Sequence, residues 1–98
     1  MKLRVLDLAE ADLLRGFRFY NRNAPGVGWY FLDTLSAEIE SLRLYAGVHR
    51  RYLGFFRIFS RRFPYAIYYR IASDEVQVWR VLDCRRDPRW IRQQLRNV

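Results

Sequence analysis

The sequence predicts a small α+β domain: a helical hairpin packed on one face of a mainly antiparallel sheet, with a short C-terminal helix. Three observations carry that expectation. Apolar residues recur at helical spacing from Leu13 to Leu42. The chain then takes on strand composition between Tyr52 and Leu82. The connections in that second half are short enough for hairpins. At 98 residues, 51% of them apolar, the chain is read as one domain over residues 1–98 with a single core.

Lys2–Leu6 alternates and reads as a first strand. Asp7 is placed to cap a following helix, with Glu10 three residues later as in a capping box. Leu13, Phe17 and Tyr20 then fall on one helical face, and Leu14 widens it. Asn21–Gly28 (NRNAPGVG) is rich in turn residues and ends that helix. A second helix starts near Trp29, with Leu32, Leu35, Ile39 and Leu42 on one face and Asp33, Glu38 and Glu40 on the other. Gly47 marks its exit.

Tyr52–Ser60, Phe63–Ile71 and Glu75–Leu82 read as the second, third and fourth strands. In the third, Phe63, Tyr65, Ile67, Tyr69 and Ile71 share one face, expected to meet the helices, and Ala66, Tyr68 and Arg70 take the other. The fourth loses its alternation at Trp79, where a bulge is expected, so Arg80 has no assigned face. Asp87-Pro88 starts the last helix, Pro suiting a position whose N–H would be unpaired anyway. The order is β-α-α-β-β-β-α, with all helices expected on one face of the sheet.

Composition narrows the function. Three Trp, seven Tyr and seven Phe argue for an ordered core. No apolar run is long enough to cross a membrane, and the first residues lack the apolar region of a secretory signal, so a cytoplasmic protein is expected. Cys84 is the only cysteine, which excludes an intrachain disulfide. The net charge is +8, and Lys2 is the only lysine, so 17 of 18 basic residues are Arg. That excess calls for an anionic partner, which Arg grips with a rigid fork. Arg-for-Lys usage is also what a GC-rich genome produces, but that explains the choice of cation and not the excess of charge.

RRFPYAIYYRI followed by VQVWRVLDCRRDPRWIR, behind a helical hairpin with APG between its helices and FLDTL opening the second, resembles the RelE/ParE toxin superfamily. The positions carrying the resemblance are Phe63, Pro64, Tyr65, Asp83, Arg86, Asp87 and Pro88. Asp83 stands where many members have His. The resemblance implies the toxin of a type II toxin–antitoxin system, with a cognate acidic antitoxin as partner. RelE-like members cut mRNA in the ribosome, whereas ParE-like members poison DNA gyrase without being nucleases. The FPY and RRDP pattern is closer to the ParE-like branch. A ribosome-dependent endonuclease and a non-toxic degenerate member are the alternatives it leaves.

The residues bear on that choice. Cleaving RNA through its 2′-hydroxyl needs a base, an acid and a cation. No Tyr follows Tyr69, no His follows His49, and Lys2 lies in the first strand. Near the C-terminus stand Asp83, Arg85, Arg86 and Trp90, a set without a proton donor for the leaving oxygen. Arg57, Arg61, Arg62, Tyr68, Arg70, Arg85, Arg86 and Trp90 are therefore the candidate target-binding residues. Arg57 and Arg70 are expected to share the face away from the helices with Phe55, Phe59 and Tyr68. Arg61 and Arg62 are expected at the opposite end of the third strand from Arg85 and Arg86. His49 reads as a lone surface histidine. Arg85 and Arg86 are expected to lower the Cys84 pKa, although no partner makes it a catalytic nucleophile. Asp83 is expected to pair with its arginines and Asp87 to cap the last helix. One Cys and one His are too few for a metal site, and neither a cofactor nor a small-molecule ligand is expected.

Overall fold

The computed structural model describes residues 1–98. The elements are β1 (Lys2–Val5), α1 (Asp7–Asn23), α2 (Val27–Glu40), α3 (Leu42–Tyr45), β2 (Arg51–Tyr52), β3 (Phe55–Phe59), β4 (Tyr65–Ala72), β5 (Glu75–Asp83) and α4 (Pro88–Arg96). The sheet is mixed, in the order β1-β5-β4-β3-β2. Three successive antiparallel pairs join β2 through β5. β1 closes the far edge, parallel to β5, with Leu3 opposite Val76.

α1 begins one residue earlier than a capping role for Asp7 requires. Leu6 is the N-cap, no side chain caps the helix, and Asp7 and Glu10 lie within its first turn. They act there through the helix dipole. The inner face carries Ala9, Leu13 and Gly16, whereas Leu14 is exposed and does not widen it. After the NAPG turn, where Gly26 takes φ 90°, α2 starts at Val27. Phe31, Leu35, Ile39 and Leu42 are buried and Leu32 half-buried, as its stripe predicts.

Two glycines bring the helices together. A Cβ on Gly16 would lie 2.5 Å from the Phe31 ring, and one on Gly28 would lie 2.6 Å from the Phe17 carbonyl oxygen. No side chain fits at either position without displacing its neighbour.

The expected strand over Tyr52–Ser60 is two. Leu53 and Gly54 both take positive φ and turn the chain between β2 and β3. Such a turn matches the twist of the strands it joins. β4 starts at Tyr65 rather than Phe63, because Pro64 has no N–H for the ladder.

The faces of β4 fall as its alternation predicts. Tyr65, Ile67 and Tyr69 pack with Leu13, Phe31, Leu35, Ile39 and Leu42, and Phe63 and Ile71 lie at the margin. The other face is not free, however. Ile91 and Leu95 of α4 cover it, packing with Phe55, Ala66, Tyr68 and Leu82. The helices therefore lie on both faces. Tyr68, expected on an accessible surface, is buried, and so is Phe55.

The bulge forms at Trp79. Tyr68 pairs with Arg80 but Tyr69 with Val78, so Trp79 is the extra residue. Arg80 then sits past the last β1 pairing, between α1 and α4. There it meets Asp12 and Gln94 and is almost wholly buried.

Candidate functional site

The site lies at one end of the sheet. Phe59 of β3 pairs with Ala66 of β4, and Ala66 pairs with Leu82 of β5. Two hairpins reverse the chain twice, so the end of β3 and the end of β5 come to the same side. Arg61 and Arg62 thus share an end of the sheet with Arg85 and Arg86, against the expectation that they lie at opposite ends.

The FPY segment builds this end from below. The Phe63 ring packs against Tyr20, Tyr30 and Phe31, with centroids 4.9, 5.3 and 5.1 Å away. The Pro64 carbonyl accepts from Cys84 N at 2.7 Å, tying the β3–β4 loop to the end of β5. Glu38 Oε2 accepts from Arg61 N at 2.9 Å, and Arg62 Nη1 donates to the Tyr30 hydroxyl at 2.8 Å. Tyr65 is buried, and burial pushes its phenol up to about 12. Its hydroxyl holds its proton at any cellular pH.

The turn after β5 supplies the cations. Asp83 Oδ1 accepts from Arg85 N at 2.9 Å and from Nε at 3.0 Å, and its Oδ2 accepts from Nη2 at 2.8 Å. Burial alone would raise the Asp83 pKa, but these hydrogen bonds and the charge of Arg85 outweigh it and hold the carboxyl below the usual range. Arg86 has a different partner: its guanidinium lies over the Trp90 ring, 3.8 Å from the centroid. Asp87 caps α4, accepting from Arg89 N at 2.8 Å, with Pro88 opening the helix. A cleft of about 350 Å³ separates this turn from α1. It is bordered by Arg15, Phe19 and Arg22 on α1 and by Asp83, Arg86 and Trp90 opposite.

Arg57 and Arg70 form a separate group on the α4 side of the sheet. Arg57 stacks on Tyr52 and Phe59, 4.2 and 4.7 Å from the ring centres. Arg70 stacks on Phe55 at 4.0 Å and on Trp79 at 5.1 Å. Cys84 departs from expectation. Burial raises its pKa, and the Asp83 charge adds to the rise, so neighbouring arginines do not activate it. His49 is not a free surface side chain either. Its Nδ1 lies 2.5 Å from the Tyr69 hydroxyl, which also accepts from Gly47 N, and burial lowers the pKa of the ring.

Two sets of residues escaped the sequence reading. Asp12 and Arg80 are the buried ion pair behind the cleft. The signal for Arg80 was its place among apolar residues, obscured by the bulge. Arg15, Arg18 and Arg22 form an exposed line on α1. Their i, i+3, i+7 spacing is plain in RGFRFYNR, but it lies beside the apolar stripe that drew the reading.

This end of the molecule can grip an anion: its arginines stay protonated, and at the RRDP turn Asp83 is held charged and Tyr65 keeps its proton. No helix is long and apolar enough to cross a membrane. No curated protein matches the chain. Among solved structures, a chain described as "Chromosomal ParDE TA system from P. aeruginosa" superposes with a TM-score of 0.77 at 22% identity, covering 83% of this chain and 92% of that one. That likeness bears on the fold. Residues 3–88, spanning β1 through the RRDP turn, match the family described as "ParE toxin of type II toxin-antitoxin system, parDE". The helical hairpin, the FPY segment and the capped RRDP turn are therefore those of a ParE toxin, and the chain belongs to that family of type II toxin–antitoxin toxins.

Proposed function

We propose that this protein inhibits growth by binding DNA gyrase in the cytoplasm, and that a cognate acidic antitoxin holds it inactive. One observation carries the reading. The end of the sheet that gathers Arg61, Arg62, Arg85 and Arg86 is rich in groups for gripping, and the carboxylate and the phenol at the RRDP turn, Asp83 and Tyr65, are each held in one protonation state. A nuclease must protonate its leaving oxygen. Here Asp83 is held as a carboxylate by Arg85, and Tyr65 is buried with its proton held to about 12. A poison that works by fitting its target needs neither. Arg86 on Trp90 is the contact most suited to it, an exposed Arg–aromatic pair of the kind that anchors interfaces once a partner covers it.

Expression in growing cells tests this. Filamentation and DNA-damage signalling are expected first, with protein synthesis continuing. Purified protein should trap gyrase on cleaved plasmid DNA, and Arg86→Ala should weaken trapping while leaving the melting temperature unchanged. Arrest of translation within minutes, with mRNAs cut inside the ribosome, would overturn the gyrase assignment. Co-expression of the antitoxin should restore growth. At about a hundredfold above its Kd, the antitoxin should add about 2.7 kcal/mol to stability by mass action. Normal growth on strong expression of the toxin alone would favour a non-toxic member of the family.

A further inference from the structure

The cleft beside the RRDP turn does not end at the residues already described. Arg15 and Arg22 border it, and the same two residues border a second hollow on the outer side of α1, with Phe17, Arg18 and Asn21. Together they make a continuous strip from Arg18, through Arg15 and Arg22, across Phe19, to Arg86 and Trp90.

Charge along the strip is one-sided. Arg18, Arg22 and Arg86 are exposed and make no ion pair with a carboxylate. Arg15 touches Asp12, but Asp12 already accepts from Arg80 at both oxygens, and the Arg15 side chain is 64% exposed. The cleft has two carboxylates, Asp12 and Asp83. The first is neutralised by Arg80 and the second by the Arg85 fork. The cations therefore face solvent with no carboxylate left to balance them.

We infer that this strip binds the phosphodiester backbone of DNA, with Arg15, Arg18, Arg22 and Arg86 as phosphate ligands. The run of α1 from Arg15 to Arg22 rises about 10 Å, long enough to meet successive phosphates. The outer hollow is lined by three arginines and Asn21, with Phe17 as its single apolar residue. An amphipathic protein segment needs apolar burial. That is offered elsewhere, between Leu13, Leu14, Phe17, Trp29 and Leu32. Interfaces with DNA, by contrast, are polar and strongly positive. Phe19 is 39% exposed and flanks the path, where an unpaired base can stack. The inference deepens the gyrase reading and rests on it for its cellular setting, since gyrase works on bound DNA. The toxin on this account touches the DNA as well as the enzyme.

The test uses the purified toxin without gyrase, so that its failure is separate from failure of the plasmid-trapping assay. Fluorescence anisotropy would follow labelled duplex DNA, labelled single-stranded DNA of the same length and a polyglutamate peptide over a range of salt. Both DNAs should bind, and four phosphate contacts should give duplex binding a log–log salt slope of about −3.6. Arg18→Ala, Arg22→Ala and Arg86→Ala should each weaken binding and reduce that slope by about one. Tighter binding of the single strand would place stacking on Phe19, and tighter binding of the duplex a backbone-only contact; either supports the strip. Arg51→Ala, at the β2 edge, removes the same charge and should change little. Equal losses from Arg51→Ala and Arg22→Ala would reduce the effect to net charge and overturn the proposal. Preference for polyglutamate, or no DNA binding at low salt, would overturn it as well. Unchanged melting temperatures of the exposed-Arg variants keep the comparison free of folding effects.

Discussion

Asp12 and Arg80, 68 residues apart in the chain, meet inside the protein through two parallel hydrogen bonds of 2.8 and 2.9 Å. Both side chains are nearly inaccessible, at 4% and 6% exposure. Asp12 Oδ2 also accepts from Val81 N, and Arg80 Nη1 donates to Gln94. The pair therefore joins α1, the bulged part of β5 and α4 behind the cleft.

Removing one partner should cost far more than removing both. Asp12→Ala leaves the Arg80 guanidinium buried without its counter-charge, at about 3–5 kcal/mol. Asp12→Ala combined with Arg80→Met removes the stranded charge and should recover much of that loss. Urea unfolding measures both. Equal losses in the single and double variants would show that the pair does not act as a unit.

The hairpin core should respond to truncation in proportion to burial. Leu35 is fully buried and Ile39 is 3% exposed, whereas Leu44 is 83% exposed. Leu35→Ala and Ile39→Ala should each cost about 2–5 kcal/mol. Leu44→Ala should stay within about 0.5 kcal/mol. Thermal melting of the three variants checks the assigned face.

Gly28→Ala tests the approach of the two helices. Propensity alone would favour Ala by about 1 kcal/mol within a helix. Here the added Cβ meets the Phe17 carbonyl at 2.6 Å and the Asn21 Cβ at 2.8 Å. Backbone cannot swing aside as a side chain can, so a net loss of about 1–3 kcal/mol is expected. A stabilised variant would show that the helices separate without penalty.

Alkaline pH should destabilise the protein over a defined window. Burial raises the pKa of Tyr20, Tyr65, Tyr68 and Tyr69, that of Tyr65 to about 12. The folded state then holds protons that the unfolded state releases. The resulting stability is complete below the ordinary value of 10.0 and is lost as pH rises towards about 12. Denaturant midpoints across that range should fall, with late growth of tyrosinate absorbance. In Tyr65→Phe the decline should be shallower.

Periodicity carried much of the fold. The helical stripe of Leu35, Ile39 and Leu42, which runs from α2 into α3, and the alternation of Tyr65, Ile67 and Tyr69 were legible because burial on one face imposes them. The bulge at Trp79 was legible as a lost alternation, but the fate of Arg80 was not, since its counter-charge lies on another element. Tyr68 was assigned to the right face and the wrong environment. Alternation tells which side a residue takes, and only the docking of α4 decides whether that side is dry. The gathering of Arg61, Arg62, Arg85 and Arg86 follows from strand direction alone and needed only the two hairpins to be traced. The α1 arginines were visible in spacing, yet nothing in one helix reveals which turn of chain will lie across from it.

The pairing of β1 with β5 governs how the protein comes into being. Lys2 finds its partner at Glu75, and Asp12 finds Arg80. The first strand therefore waits for the last strand before it gains its pairing, and α1, which packs first on α2, completes its contacts only then. Contacts this distant in sequence close late and slow folding. During synthesis the chain is built from its N-terminus, so the early residues emerge without their partners. The Arg strip itself needs α1 on one bank and the RRDP turn on the other. The surface proposed to bind DNA therefore forms only once the RRDP turn has been made and has folded back beside α1.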